Sequence, residues 1–209
     1  MYIVGPLRTE VTQENLLDFF ALREKTFVQS MGWSIPTLDG FEMDQYDFPF
    51  AYFVLAYSCD DRCIGGGRLL QTHRRYEAGG GREVTYMLRD FASGEISSPL
   101  NFSHMKEQMP QSPHIWELTR FVSNNRETAK ALLYCVDDFL VQMGAKEVLT
   151  LSRPSFSRLL SGLGFETRQI SETVRFSDDS NAYAALSTKV GRRLENSGRV
   201  NTGAAERCS

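Results

Sequence analysis

The chain has 209 residues, of which 42% are hydrophobic and 23% are charged, and its formal net charge at pH 7 is −3. These values indicate one globular domain with a substantial core, and the negative charge argues against nucleic-acid binding, which usually requires excess Lys and Arg. No apolar run is long enough to span a bilayer and the N-terminus lacks a signal-peptide pattern, so we expect a cytoplasmic protein without membrane contact.

The first predicted elements are a short strand and a helix, followed by a loop of unusual composition. Residues 2–4 have the composition of a strand, and apolar residues recur at helical spacing over residues 12–30. Arg23 and Phe27 share one face of this helix, either as a solvated charge over a packed ring or as the wall of a pocket. Residues 33–47 combine aromatic and acidic side chains without periodicity. We interpret them either as a functional loop or as a solvated acidic loop whose tryptophan fills the core.

Two apolar segments, residues 51–57 and 63–70, are predicted to pair as strands across an acidic turn. Three consecutive glycines in the second segment indicate a close backbone approach or a bulge. Arg68 follows these glycines inside the apolar strand. Because a buried guanidinium requires carboxylate partners, we expect Arg68 to pair with Asp44 and Asp47, the nearest candidates in sequence.

The segment from Trp116 to Phe121 has the composition of a buried strand, yet it contains Glu117 and Arg120. Side chains three residues apart point to opposite faces of a regular strand, so a site that uses both residues requires a bulge between them. The alternatives are a strand with a polar edge and a single buried ion pair.

The remaining segments complete the predicted fold. A polar excursion, a short helix and a long connection are expected over residues 73–85, 86–91 and 93–112. The C-terminal half alternates helices and strands, with helices over 126–143 and 154–162 and strands over 147–152, 165–176 and 182–188.

The order of elements predicts an α/β (α+β mixed) fold, in which a mixed sheet carries helices on both faces. The strand, helix and strand over residues 116–150 should place two strands in parallel, and ligands often bind where such strands diverge. The tail from Gly191 is polar and nonperiodic. We therefore predict one domain over residues 1–190 and a disordered tail over residues 191–209.

Charged and aromatic residues recur in a specific order along most of the chain. The pattern consists of Arg23, Phe27, Gly32-Trp33, Glu42, Asp44-Gln45-Tyr46-Asp47, Arg68-Leu69-Leu70, Tyr86-Met87-Leu88 and Trp116-Glu117-Leu118-Thr119-Arg120-Phe121. It resembles the LuxI-type autoinducer synthases, which make N-acyl-homoserine lactones for bacterial quorum sensing. The resemblance covers about residues 16–188. It implies a fold like that of the GCN5-type acetyltransferases, a three-layer sandwich with a central mixed twisted sheet and helices on both faces.

The resemblance implies an acyltransferase with two substrates, S-adenosyl-L-methionine and a fatty acyl group on acyl carrier protein or, in some members, on coenzyme A. The methionine amine attacks the acyl thioester. The methionine carboxylate then closes on the carbon next to the sulfonium and expels methylthioadenosine. Because S-adenosyl-L-methionine is a substrate, no cofactor is implied, and the scattered cysteines and histidines make no case for a metal.

The same resemblance assigns residues to the amine substrate and to proton transfer. Glu117 is the expected base, directly or through water, and Arg120 is expected to orient Glu117 or the substrate carboxylate. On the adenosylmethionine side, Arg23 would pair with the carboxylate, while Phe27 and Trp33 would offer ring faces to the sulfonium.

The acids and Arg68 have an electrostatic role in this reading. Asp44, Asp47 and Arg68 would form a charge cluster that holds the loop over the site.

The resemblance also implies a pocket for the acyl chain and a surface that binds the acyl carrier protein. The acyl-chain pocket is expected at Thr150, Leu118 and Met87, and a threonine at the position of Thr150 is common in members that favour 3-oxo chains. Because acyl carrier protein is acidic, it should dock on a basic patch. The candidates are Arg74, Arg75, Lys130, Arg153 and Arg158. Position 153 is commonly a serine in the family.

The sequence after the central strand bears on the identity of the acyl donor. Residues 124–129 lack the glycine-rich pyrophosphate loop of acetyltransferases, which favours a carrier-protein donor over coenzyme A. We expect a monomer. The alternatives are a coenzyme-A-dependent N-acyltransferase acting on another small amine, and a non-catalytic binding module of the same fold.

Overall fold

The computed structural model describes residues 2–6, 11–47, 51–77, 83–95, 109–175 and 182–193. The described strands are β1 (Tyr2–Pro6), β2 (Thr37–Leu38), β3 (Phe41–Glu42), β4 (Tyr52–Tyr57), β5 (Cys63–Gln71), β6 (Tyr76–Glu77), β7 (Glu83–Val84), β8 (Ile115–Ser123), β9 (Glu147–Ser152), β10 (Phe165–Gln169), β11 (Val174–Arg175) and β12 (Ala182–Arg193). The described helices are α1 (Gln13–Arg23), a π-helical segment (Glu24–Ser30), α2 (Met87–Ser93), α3 (Arg126–Gln142) and α4 (Pro154–Gly162).

Eight of the strands form one mixed sheet. Its order is β1-β4-β5-β8-β9-β12-β10, with β11 also paired to β12. The pairs are antiparallel except β8 and β9, which run parallel and are joined by α3, as predicted. One apolar core lies under α1, the π-helical segment and α2, and a second lies under α3 and α4. The predicted α/β sandwich with helices on both faces is confirmed.

The N-terminal helix begins as predicted but changes its geometry before it ends. Thr12 and Asn15 form a capping box, in which each side chain accepts a hydrogen bond from the other backbone N–H, at 3.2 and 3.1 Å. The sequence predicted one helix over residues 12–30, whereas the α-helix ends at Arg23 and a π-helical segment follows. Such wider turns are frequent at functional sites. Both Arg23 and Phe27, on either side of the transition, are buried.

Two of the three glycines of β5, Gly65 and Gly66, allow both layers of helices to approach the sheet. A Cβ on Gly65 would lie 2.9 Å from Leu132 Cδ1 of α3, and a Cβ on Gly66 would lie 2.8 Å from Phe19 Cε2 of α1. The close approach predicted from the glycine run is therefore confirmed, and the helices pack directly onto the backbone of this strand.

The segments around the second half of the sheet differ in part from the predictions. The excursion over residues 73–85 contains the short β6–β7 ladder, and residues 78–82 lie outside the described part. Most of the connection over residues 93–112 also lies outside it. None of the helices in the described ranges has the length and apolar composition that crossing a membrane requires.

The C-terminal strand is longer than predicted. The tail was expected to begin at Gly191, but β12 continues to Arg193. The reason is a set of contacts with α3: Gly191 N donates to Asp137 Oδ1 at 2.8 Å, and Arg193 pairs with Asp137 and Asp138. Residues 194–209 of the predicted tail lie outside the described residues.

Candidate active site

The central strand β8 is irregular at Arg120. Opposite Gly67 of β5, β8 presents two residues, Arg120 and Phe121, instead of one. Arg120 has a φ of 52°, a left-handed conformation that costs a non-glycine residue about 1 to 3 kcal/mol. The bulge predicted between Glu117 and Arg120 is thus confirmed. It turns Arg120 towards the α1 side of the sheet, where Glu117 also points, and Phe121 towards the other side.

Three arginines and three acids meet on the α1 side of the sheet. The arginines come from α1, β5 and β8, and the acids come from β3 and the loop after it. No side chain of the six is more than 12% exposed. Their formal charges cancel, which is the condition for burying so many ionised groups. We call this set the charge cluster, and its members are Arg23, Arg68, Arg120, Glu42, Asp44 and Asp47.

Arg23 is buried inside the charge cluster, where it forms ion pairs with Glu42 and Asp47. Its Nε donates to Glu42 Oε2 at 2.5 Å, and its terminal nitrogens donate to the two oxygens of Asp47 at 2.8 and 3.0 Å. The side chain is 0% exposed. The sequence analysis expected Arg23 to pair with a substrate carboxylate, but each of its three nitrogens already donates to a protein carboxylate. The structure instead makes Arg23 part of the electrostatic scaffold.

Arg68 pairs with the acids expected for it. Its terminal nitrogens donate to both oxygens of Asp44 at 2.5 and 3.0 Å, and one of them also donates to Asp47 at 2.7 Å. The Nε donates to Thr119 Oγ1 at 3.1 Å. The predicted pairing of Arg68 with Asp44 and Asp47 is confirmed, and Thr119 of the neighbouring strand completes its hydrogen bonds.

Arg120 belongs to the charge cluster and does not pair with Glu117. Its nitrogens lie 3.0 to 3.2 Å from Glu42, and NH2 lies 3.0 Å from Asp44 Oδ2. The expectation that Arg120 orients Glu117 is therefore wrong, and so is the alternative of a Glu117–Arg120 ion pair. Glu42 received no role in the sequence analysis, although it is part of the family pattern. It joins Arg23 to Arg120.

The charges of the cluster shift the pKa values of Asp44 and Arg68 towards their ionised forms. Burial by itself would favour the protonated form of Asp44, but the nearby charges of Arg68 and Arg120 outweigh it, and the pKa of Asp44 lies well below its usual range. Burial likewise opposes the charged form of Arg68, but Asp44 and Asp47 raise its pKa above the usual value. Asp44 and Arg68 therefore carry their full charges at neutral pH.

Glu117 is completely buried and caps helix α2. Its two carboxylate oxygens accept the backbone N–H groups of Met87 and Leu88, each at 2.8 Å. These are the first residues of α2, whose N-cap, Tyr86, provides no side-chain cap of its own. Burial raises the pKa of Glu117 to about 7, although the two N–H donors and Arg68 act in the opposite direction. Glu117 thus caps α2 and has a pKa near neutral pH.

A second buried acid ties α2 to the acidic loop. Asp90 Oδ2 accepts the hydroxyl of Tyr46 at 2.8 Å and the N–H of Thr85 at 2.9 Å, and Asp90 Oδ1 accepts the Thr85 hydroxyl at 2.6 Å. Burial, followed by the charge of Asp90, raises the pKa of Tyr46, so the phenol remains a donor. The ring of Tyr46 lies under Arg68 at 5.4 Å. The sequence analysis gave no role to Tyr46, Thr85 or Asp90. The Tyr46–Asp90 hydrogen bond joins residues 44 apart, which leaves no local pattern in the sequence.

The two aromatic residues assigned to the amine substrate form a stack. The rings of Phe27 and Trp33 lie 4.9 Å apart at 13°, and the Arg120 guanidinium lies 5.8 Å from the centre of Phe27. Trp33 also lies in edge contact with Tyr183 of β12, at 6.3 Å between the ring centres. Phe27 is buried and Trp33 is half-buried. Of these two rings, Trp33 is therefore the one a ligand reaches more readily.

The parallel strands β8 and β9 separate beside these groups. Their pairing covers Ile115 to Glu117 on β8 and ends at Leu149 on β9, just before the bulge. On the α3 side of the sheet, a small apolar cavity borders this opening. It is lined by Leu118, Leu133, Val136, Asp137, Leu140, Val148, Thr150, Phe156, Leu160, Phe165 and Thr188.

Two of the three residues predicted for an acyl pocket line this cavity. Leu118 and Thr150 do, and the Thr150 hydroxyl is buried without a hydrogen-bond partner among the described residues. Met87 does not. It lies on the α1 side, with its sulfur 3.6 Å from Arg68 NH2 and 3.9 Å from Arg120 NH1. Met87 therefore lies on the other face of the sheet from this cavity, and its assignment to the acyl pocket stays a prediction.

The five basic residues predicted as one docking patch do not lie together. Arg74 and Arg75 follow the C-terminal end of β5, which lies beside the N-terminal end of β8. Lys130 on α3, and Arg153 and Arg158 at α4, lie towards the other end of the sheet, because α3 and α4 follow the C-terminal ends of β8 and β9. Arg153 is half-buried over Tyr183. The structure therefore separates the candidates into two groups, and which of them receives the carrier protein stays a prediction.

Comparison with known sequences identifies the family. A family model described as "Autoinducer synthase" matches residues 8–76. An acyl-homoserine-lactone synthase of Acinetobacter nosocomialis is 30% identical over 182 residues, which cover 81% of this chain and 90% of that protein. Another, from Ralstonia nicotianae, is 29% identical over 153 residues, covering 68% of this chain and 67% of that protein. The chain belongs to the autoinducer synthase family, the acyl-homoserine-lactone synthases, and is an acyltransferase.

Solved structures share the fold. The protein TofI, in a ternary complex with an inhibitor and MTA, has a TM-score of 0.72 and 21% identity, covering 91% of each chain. A CoA-dependent acyl-homoserine lactone synthase, BjaI with SAM and isopentyl-CoA, has a TM-score of 0.71 and 20% identity, covering 91% of this chain and 83% of that one. A putative N-acetyltransferase from Lactobacillus plantarum has a TM-score of 0.58 and 15% identity, covering 91% and 97%. The acetyltransferase-like fold is confirmed.

Proposed function

We propose that the chain makes an N-acyl-homoserine lactone from S-adenosyl-L-methionine and a fatty acyl thioester carried by acyl carrier protein. The amine of adenosylmethionine takes the acyl group, its carboxylate then closes the lactone, and methylthioadenosine leaves. The lactone acts as a quorum-sensing signal, and its synthesis takes place in the bacterial cytoplasm. The observation that carries this proposal is the opening between β8 and β9, which has an aromatic and charged side and an apolar side.

The α1 side of the opening suits a cationic amine substrate. Trp33 stacks on Phe27 and provides a ring face to a sulfonium. The charge cluster has equal numbers of acids and arginines, so its net charge neither repels a cationic substrate nor binds it strongly. The charge cluster also fixes the backbone of the loop that follows Trp33, because Asp44 and Asp47 accept backbone N–H groups as well as arginines. A rigid, preorganised site reduces the entropy cost of aligning amine and thioester.

The α3 side of the opening suits the acyl chain. The cavity there is lined mainly by Leu, Val and Phe side chains, which stabilise a hydrocarbon by removing it from water. The one buried hydroxyl without a partner in that lining, among the described residues, is that of Thr150. A polar group near the carboxyl end of the chain would satisfy it. We therefore propose an acyl donor with an oxygen substituent close to the thioester.

Acyl carrier protein is the proposed donor because the N-terminus of α3 is poorly suited to binding the pyrophosphate of coenzyme A. In acetyl-coenzyme A sites, free N–H groups at this helix start bind the pyrophosphate. Here the Asn125 side chain accepts the N–H of Thr128 at 2.8 Å, and the acidic Glu127 follows in the first turn. The similar fold of a CoA-dependent synthase keeps coenzyme A as the competing donor.

Proton removal from the amine is proposed to involve Glu117. Its pKa of about 7 is close to the optimum for a general base at neutral pH. Both of its oxygens are engaged by α2, so it would act through a water molecule when the substrate opens this contact. The competing role is purely that of a cap, in which a backbone carbonyl or solvent takes the proton.

The proposal is tested by expressing the chain in a bacterial host that makes no acyl-homoserine lactones and analysing the medium by mass spectrometry. We expect one dominant lactone whose fragment pattern gives the acyl chain and its oxygen substituent. A host with an empty vector and a host expressing Trp33→Ala are the controls. Absence of any lactone from cells that contain the soluble, folded parent chain would contradict the proposal.

A further inference from the structure

The charge cluster leaves the carboxylate of the amine substrate without a partner. Arg23, Arg68 and Arg120 each bind protein carboxylates, and the three acids match them one for one. Arg23 and Arg68 are 0% exposed, so a substrate carboxylate could bind either only by displacing a buried acid, which is costly because the displaced charge loses its partner. Arg120 binds acids through Nε and NH2, and its NH1 lies 3.9 Å from the Met87 sulfur. A cation outside the cluster with no acid of its own is therefore the better partner for a substrate carboxylate.

Arg153 has the properties that such a group requires. Its Nε is buried and has no hydrogen-bond partner among the described residues, and the guanidinium forms no ion pair with any of them. A buried polar atom without a partner is costly, so a bound acceptor would stabilise it. Arg153 is also the N-cap residue of α4, where the helix dipole favours an anion, and it supplies no side-chain cap to the helix.

Arg153 lies on the same side of the sheet as the aromatic stack. Its guanidinium carbon lies 5.9 Å from the ring centre of Tyr183, and that ring meets Trp33 at 6.3 Å. The rings of Phe27, Trp33 and Tyr183 thus form a strip between the paired Arg120 and the unpaired Arg153. Arg153 directly follows β9, beyond the point where β9 leaves β8.

We propose that Arg153 binds the α-carboxylate of the amino-acid substrate whose sulfonium lies on the aromatic strip. This inference rests on the proposed function and adds a specific residue to it. A bidentate guanidinium–carboxylate contact at the end of β9 would fix the carbon that carries both carboxylate and amine beside the strand opening. The amine would then face the thioester, and the rest of the substrate would extend along the rings towards Trp33.

The test compares two ligands that differ by the amino-acid portion. S-adenosyl-L-methionine has the carboxylate, whereas methylthioadenosine keeps the nucleoside and the sulfur, as a neutral thioether, and lacks the carboxylate, the amine and the sulfonium charge. The effect of the carboxylate is therefore read from how each Arg153 variant changes the affinity for each ligand relative to the parent. Isothermal titration calorimetry would measure both ligands on the full chain as parent, Arg153→Gln and Arg153→Met, the last retaining an unbranched apolar stem over Tyr183. The matched control is Arg168→Gln, which removes an exposed arginine of β10 that pairs with Glu147 at 3.5 Å.

We expect Arg153→Gln to weaken adenosylmethionine binding about tenfold to hundredfold, the range for losing a charge-assisted hydrogen bond, with methylthioadenosine binding unchanged. Arg153→Met should behave in the same way, and Arg168→Gln should match the parent for both ligands. Adenosylmethionine binding within twofold of the parent in both Arg153 variants would overturn the inference. Equal loss of both ligands would also overturn it, because Arg153 would then only support the aromatic strip. A parent chain that binds neither ligand would contradict the proposed function itself.

Discussion

The two terminal nitrogens of Arg68 donate hydrogen bonds to the two carboxylate oxygens of Asp44, at 2.5 and 3.0 Å, and the Arg68 side chain is 0% exposed. Replacement by methionine would leave Asp44 and Asp47 buried without their main counter-charge. We predict that Arg68→Met lowers the free energy of unfolding by about 3 to 5 kcal/mol, as for other broken buried ion pairs, or prevents folding. Urea denaturation followed by circular dichroism measures the change.

The matched control for this substitution is Arg75→Met. Arg75 pairs with Glu83 at 3.2 Å, but both side chains are more than 60% exposed. Solvent screens such a pair, so we expect a change below about 1 kcal/mol. Similar unfolding free energies for the two variants would contradict the view that the charge cluster holds the site together.

The stacked position of Trp33 gives a second prediction. Trp33→Ala removes the ring face proposed for the sulfonium, whereas Trp33→Phe keeps an aromatic ring against Phe27. We expect the alanine variant to bind S-adenosyl-L-methionine at least tenfold more weakly, since a desolvated cation–π contact contributes about 2 kcal/mol. The phenylalanine variant should lie between it and the parent. Parental affinity in the folded alanine variant would remove Trp33 from the binding site.

The hydrogen bond from Tyr46 to Asp90 connects the acidic loop to α2, and Tyr46→Phe removes it without changing the ring. Asp90 keeps its two contacts with Thr85, so the loss should be about 1 kcal/mol. Amide hydrogen exchange should become faster at Thr85, Met87 and Leu88, which lie in or next to α2. Unchanged exchange at these amides would mean that α2 is held by Glu117 alone.

The raised pKa of Glu117 predicts a pH dependence of stability with a defined sign. Between pH 4.5, the ordinary pKa of a glutamate, and about pH 7, the folded protein holds a proton on Glu117 that the unfolded chain has released. This contribution is complete below pH 4.5 and is lost as pH rises through 7, so the free energy of unfolding should fall from pH 5 to pH 8. Asp44 acts in the opposite direction, but only in strong acid, below its ordinary pKa.

Glu117→Gln isolates this effect, because glutamine does not titrate. The variant should be less stable at every pH, since its amide NH₂ would face one of the two N–H donors of α2. Its stability should nevertheless depend less on pH between 5 and 8 than that of the parent. Identical pH slopes for parent and variant would show that Glu117 does not hold a proton near neutrality.

Local sequence patterns were sufficient for most of the fold. Helical spacing in α3, the glycine run of β5 and the strand–helix–strand order over residues 116–150 each follow from side-chain periodicity or backbone sterics. The change to π-helical geometry after Arg23 was not predictable, because the apolar spacing fits both helix types. The extension of β12 to Arg193 also depends on contacts with Asp137 and Asp138, which are more than 50 residues away.

The sequence was sufficient to predict which residues form the site, but not which acid pairs with which arginine. The isolated Arg68 in an apolar strand correctly pointed to Asp44 and Asp47, because burial requires charge compensation. The same reasoning could not tell that Glu42 would take both Arg23 and Arg120, since which acid faces which arginine depends on the bulge in β8. The role of Glu117 as a cap for α2 was not predicted, because it links residues 30 apart.

The most direct test of the central claim is a reconstitution with purified components. The parent chain is incubated with S-adenosyl-L-methionine and a series of acyl groups, each attached once to acyl carrier protein and once to coenzyme A, and the products are quantified by mass spectrometry. We predict equal amounts of N-acyl-homoserine lactone and methylthioadenosine, formed faster from the carrier protein than from coenzyme A. Turnover that is faster with coenzyme A would contradict the proposed donor, and acyl transfer without lactone and methylthioadenosine would contradict the proposed reaction.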